Sequence, residues 1–159
     1  MGTVSLRSSP LFCAVIERVL TAGSIVRFRA EGTSMYPTIR DGEAIAIAAV
    51  STSDVVRGDV LLCRHKNRMV AHRVVSVATR GTERFFELRG DSNASCDTPI
   101  GADAVVGRII GVLRNGRLVR LCGRAARLRH SVRIVASRVK WLIMPAATVL
   151  FGVSSRPST

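Results

Sequence analysis

Apolar and polar residues alternate along Ile25-Val26-Arg27-Phe28-Arg29-Ala30, the period-2 pattern of a strand with one buried face. Strand-length runs built on Val, Ile, Leu, Ala or Phe recur at residues 43–50, 60–64, 68–77, 84–89, 104–113 and 117–121. Residues that break strands separate them: Asp41-Gly42, Gly58-Asp59, Lys66-Asn67 and Asn115-Gly116. The last of these is a strong hairpin signal. The pattern predicts a mainly β domain, an antiparallel and coiled sheet of about seven strands. Residues 9–22 carry the helical period instead, with Ser9 placed to cap, Pro10 at the first helical position and Gly23 at the stop. Leu11, Val15, Val19 and Ala22 are expected to form the face that this amphipathic helix lays on the domain.

Beyond Gly123 the pattern changes again. Residues 124–140 place Arg124, Arg127, Arg129, Arg133, Arg138 and Lys140 among Ala, Leu, Val and Ile, which reads as a basic helix. The apolar run at residues 141–153 is 13 residues long and contains Pro145, whereas a spanning helix needs about 20. A basic helix leading into a short apolar tail with Trp141 at its border fits a segment that lies on an anionic membrane or inserts shallowly into it. The other reading is a helix packed on the domain with its arginines solvated. Three regions are therefore expected: residues 1–24 as the N-terminal helix, 25–122 as the β domain, and 123–159 as the basic helix and tail.

Charge sharpens that division. The chain of 159 residues has a net charge of +13. Residues 1–103 hold 13 Lys and Arg against 11 Asp and Glu, while residues 104–159 hold 11 Lys and Arg and no acid. The first part is thus nearly neutral, and affinity for anions belongs to the last third. Trp141 and Phe151 are its only aromatic residues, too few to stack bases along a nucleic acid, so no specific nucleic-acid partner is expected. Residues 11–28 are apolar but interrupted by Glu17, Arg18 and Arg27, which argues against a signal peptide or an N-terminal anchor. Cys13, Cys63, Cys96 and Cys122 are scattered and read as free thiols, mostly buried, with Cys96 in a polar loop. His65, His72 and His130 form no metal-finger spacing with them. Neither a metal nor an organic cofactor is implied.

Candidate chemistry centres on Ser34, in the tight loop Glu31-Gly32-Thr33-Ser34-Met35-Tyr36-Pro37-Thr38 at the end of the first strand. A free hydroxyl is a weak nucleophile and needs a base. Lys66 stands in a polar turn and Lys140 in the basic tail, whereas His72 lies on a strand as the polar member of an apolar face. A histidine base needs an acceptor to orient its second nitrogen. Asp91 and Asp97 both stand in the loop after residues 84–89, and either one suits that role.

These residues stand in a specific order: Gly32-Thr33-Ser34-Met35-Tyr36-Pro37-Thr38 with Asp41-Gly42, then Gly58-Asp59-Val60-Leu61, His72-Arg73-Val74-Val75, Gly90-Asp91-Ser92-Asn93 with Asp97, and Val106-Gly107-Arg108. Across residues 26–113 the series resembles the signal peptidase I family, in the branch that uses histidine (endoplasmic-reticulum, archaeal and sporulation type). The resemblance implies a membrane-associated serine endopeptidase that removes signal or leader peptides from polypeptides. It also implies the signal-peptidase type of coiled β domain, with Ser34 as nucleophile, His72 as base, and Asp91 and Asp97 at the two acidic positions. Family members often carry a hydroxyl residue two positions before the nucleophile, where this chain has Gly32. Backbone N–H groups around Thr33 and Met35 would then hold the oxyanion. Two other readings are a self-cleaving repressor-type peptidase and a basic, non-enzymatic module that binds nucleic acid or other anions.

Overall fold

A computed structural model of the chain describes residues 5–6, 10–65 and 68–121. Its sheet is built from β1 (Ser5–Leu6), β2 (Val26–Arg29), β3 (Ala44–Ala48), β4 (Val60–His65), β5 (Arg68–Arg80), β6 (Glu83–Arg89), β7 (Ile100–Gly101), β8 (Val105–Arg114) and β9 (Arg117–Arg120). One helix, α1 (Pro10–Thr21), precedes β2. The strands pair antiparallel in the order β2-β3-β8-β4-β5-β6-β7, with β1 added to β5 and β9 to β8. The mainly β, antiparallel expectation holds, and each strand read from alternation overlaps an observed one. The two-residue strands β1 and β7 have no period of their own to read. The predicted turn Lys66-Asn67 and the basic and apolar stretch after Leu121 lie outside the described residues.

The sheet coils because its register slips three times, between Ala46 and Ile47, between Leu62 and Cys63, and between Val74 and Ser76. A bulged pair bends its strand and increases the local twist. The coil gives the sheet two cores. Leu62, Met69, Ala71 and Ile109 join one cluster with Met35, Ile39, Ile45 and Ile47. Leu61, Cys63, Val74, Phe86 and Leu88 form the other with Val55. β4 and β5 separate the two cores, so consecutive residues in the middle of β5 are buried on opposite sides.

α1 closes the larger core, but with a different face from the one expected. Among the side chains described at residues 13–21, Ile16 and Leu20 are the buried ones, while Val15 is 51% and Val19 38% exposed. Leu20 reaches the sheet where Gly107 has no side chain; a Cβ there would stand 3.1 Å from Leu20 Cδ1 and 2.9 Å from the Ala48 carbonyl. The close approach of helix and sheet thus depends on Gly107. Gly23 ends the helix as expected: its φ is +79°, and the Ser24 N–H reaches back 3.2 Å to the Val19 carbonyl, the six-to-one bond of a glycine C-cap.

Candidate active site

β5 carries the centre of the site. His72 and Arg73 are neighbours there, both buried, and the strand's alternation sends them to opposite faces. His72 shares its face with Leu61, its partner on β4. The Ser34 loop approaches this face from the end of β2, anchored by the wholly buried Met35 and Ile39 and closed by a 2.9 Å bond from the Ile39 N–H to the Met35 carbonyl. Asp41 accepts the Gly32 N–H at 2.7 Å, and Gly32 itself has φ +96°.

Ser34 Oγ lies 3.2 Å from His72 Nε2. On the other side of the ring, Nδ1 hydrogen-bonds to Asp97 Oδ2. A carboxylate can only accept, so Nδ1 carries the proton and donates, which leaves the Nε2 lone pair for the serine hydroxyl. Ser34 is 2% and His72 3% exposed, whereas the Asp97 side chain is 33% exposed. Serine, imidazole and carboxylate are thus in line, although 38 residues separate the first pair and 25 the second.

The two acidic candidates have different partners. Asp91 takes the guanidinium of Arg73, with Nε 2.8 Å from Oδ1 and Nη2 2.7 Å from Oδ2. The Arg73 side chain is 8% and the Asp91 side chain 4% exposed. Arg73 also donates to the Gly58 carbonyl at 2.8 Å and to Thr38 Oγ1 at 3.3 Å. The carboxylate on the imidazole is therefore that of Asp97, and Asp91 belongs to an arginine clamp joining the serine loop, the acidic loop and the turn before β4. Of the two carboxylates that suited the orienting role, Asp97 is the one on the imidazole and Asp91 is the one on Arg73. Both of its oxygens are occupied by a bidentate guanidinium, a geometry that holds a carboxylate firmly.

The acidic loop is also fastened directly to the serine loop. The Ser92 N–H donates to the Ser34 carbonyl at 2.9 Å, and Ser92 Oγ to the Thr33 carbonyl at 2.9 Å. Gly90 lies so close that a Cβ would stand 2.7 Å from the Ser34 carbonyl oxygen and 2.9 Å from Asn93 Nδ2. Thr33 and Met35 thus shape the loop through their carbonyls and, for Met35, through a buried side chain. The local sequence around Arg73, Ser92 and Gly90 assigns them no role in the site. An arginine among the apolar residues in the middle of a strand is the readable signal for Arg73, since such a charge is buried only with a partner.

A pocket of about 150 Å³ adjoins His72 and Asp97. Its walls are Cys63, Val70, Leu88 and Ile100, with His65 and Asn93 supplying its polar edge. Burial, with a smaller contribution from the Asp97 charge, pushes the Cys63 thiol up to about 12. The thiol is therefore protonated at neutral pH and is no competitor to Ser34 as nucleophile. Cys13, Cys63 and Cys96 are all free thiols, and Cys63 is buried while Cys96 is exposed. Among the described residues no cluster of three or more His, Cys, Asp or Glu side chains could hold a metal ion, and no helix is long and apolar enough to cross a membrane. No family model matches the chain, and no curated protein matches it.

Proposed function

We propose that the chain is a serine endopeptidase of signal-peptidase type that removes leader or signal segments from polypeptides at a membrane surface. The observation that carries the reading is the hydrogen-bonded line from Ser34 Oγ through the His72 ring to Asp97. His72 Nε2 takes the hydroxyl proton as Oγ attacks the scissile carbonyl, while Asp97 holds the ring in the productive tautomer and balances the imidazolium that forms. The tetrahedral intermediate collapses, the C–N bond breaks, and the imidazolium gives its proton to the leaving amine. Water, deprotonated by the same nitrogen, then hydrolyses the Ser34 ester and frees the enzyme. Backbone N–H groups of the serine loop are the donors for the oxyanion, in the absence of a hydroxyl side chain at Gly32. An extended polypeptide needs only a narrow slot to present a carbonyl, which suits a serine as enclosed as this one.

The coiled antiparallel sheet and the meeting of the Gly58-Asp59, His72-Arg73 and Gly90–Asp97 segments around one point support the signal-peptidase type of fold. Composition supports the membrane setting: a run with six basic residues and no acid at 124–140, then an apolar run, suits an anionic lipid surface. The test is a serine-acylating probe with the adduct located by peptide mapping. Labelling at Ser34 that disappears in His72→Ala is the expected result. Labelling at another residue, or labelling undiminished in His72→Ala, overturns the reading.

A further inference from the structure

The pocket beside His72 and Asp97 shares the imidazole with the reaction centre, but neither Ser34 nor any residue of its loop lines it. That placement says which part of a substrate it can take. The proton on Nε2 goes to the departing amine, so the chain after the cut must run along the imidazole. One wall, formed by Cys63, Val70, Leu88 and Ile100, is apolar or weakly polar, and the other, formed by His65, His72, Asn93 and Asp97, is polar. A volume of this order holds a six-carbon ring in an engineered cavity, so an aliphatic side chain of four or five heavy atoms fits. Charged side chains do not suit it. A carboxylate would face Asp97, and a cation would compete with His72 for the Asp97 oxygen that orients the ring.

We propose that this pocket is the subsite for the residue immediately following the cleaved bond, and that it selects an uncharged aliphatic side chain such as Leu or Met. The proposal rests on the serine-peptidase reading and assigns a specificity to its leaving-group side.

The test runs the acyl transfer backwards and needs no knowledge of the natural substrate. A small N-acyl-alanine thioester loads the full-length protein: Ser34 Oγ bonds to the carbonyl carbon and the thiol departs with a proton. Added amino-acid amides then compete with water for the acyl group. The amine nitrogen attacks the carbonyl carbon, His72 takes the amine proton and passes it to the departing Oγ, and a dipeptide amide is released. Leucinamide and methioninamide are expected to capture the acyl group about tenfold better than glycinamide, the discrimination typical of added methylenes packed on an apolar wall. Ile100→Trp and Val70→Trp, which fill the pocket, are each expected to bring that ratio within about twofold of unity. The ratio is internal to each variant, so it does not depend on how much of the protein folds. Equal capture of all amides by the wild type, a preference for argininamide or aspartic diamide, or a leucine preference surviving both substitutions overturns the pocket assignment alone. Thioester turnover no faster than that of Ser34→Ala overturns the serine-peptidase reading and the subsite with it.

Discussion

At the residue scale, two aspartates six positions apart in one loop do different work. Asp97 orients the imidazole, and Asp91 is half of a buried ion pair. Asp97→Asn is expected to lower the rate of Ser34 acylation by about 10³- to 10⁴-fold, the loss that follows when a triad histidine is held in the wrong tautomer. Asp91→Asn should act on the fold first. Leaving a buried arginine without its carboxylate costs about 3–5 kcal/mol, visible as a lowered urea midpoint. Equal effects of the two substitutions on both measurements would contradict the assignment. Gly90→Ala places a methyl 2.7 Å from the Ser34 carbonyl oxygen, so the serine loop must shift. Its acylation rate is expected to fall by on the order of tenfold or more, because an ångström of misplacement at a reacting group can cost about a hundredfold.

At the element scale, the orientation of α1 is open to a direct check. Ile16 and Leu20 are 3% and 2% exposed, against 51% for Val15 and 38% for Val19. Leu20→Ala is expected to destabilise by about 2–5 kcal/mol, whereas Val15→Ala should stay within about 0.5 kcal/mol, both read from denaturant unfolding. Another element-level contact is Arg114 on β8, which binds Glu43, just before β3, at 2.6 and 2.8 Å and reaches the Thr38 carbonyl at 2.9 Å. The Arg114 hydrogen bonds hold the Glu43 carboxyl below its usual range, against the opposing effect of burial. A depressed carboxylate stabilises the fold fully above its ordinary pKa, and that contribution is lost as the pH falls through the lower folded value. Glu43→Gln should therefore flatten the acid limb of stability against pH, read from denaturant midpoints across a pH series. An acid limb as steep as the wild type's would rule out this contribution.

At the scale of the whole molecule, charge is divided along the chain, with 11 basic residues and no acid from residue 104 onward. If that end meets anionic lipid, full-length protein should co-sediment with anionic vesicles at low salt and be released as ionic strength rises toward about 1 M, where the Debye length falls to about 3 Å. Retention that does not respond to salt, or equal binding to neutral vesicles, would point to an interaction other than charge. The strands themselves were legible in the sequence because side-chain alternation is a property of a few consecutive residues, as in Val26-Arg27-Phe28-Arg29 and the turn at Asn115-Gly116. The buried face of α1 was not legible, because Leu11, Val15, Ile16, Val19 and Leu20 are all apolar and leave its rotation undetermined. A tight loop and a half-buried strand are short-range features that made Ser34 and His72 candidates, but only the resemblance of the ordered motifs implied that the two work as a pair. The sequence alone therefore determined the β character and turns such as Asn115-Gly116, and the tertiary structure brought Ser34 to His72. Only the tertiary structure decided between Asp91 and Asp97, because that choice depends on how a coiled sheet brings together segments 25 and 38 residues apart, a path set by packing in two cores and not by the period of any one strand.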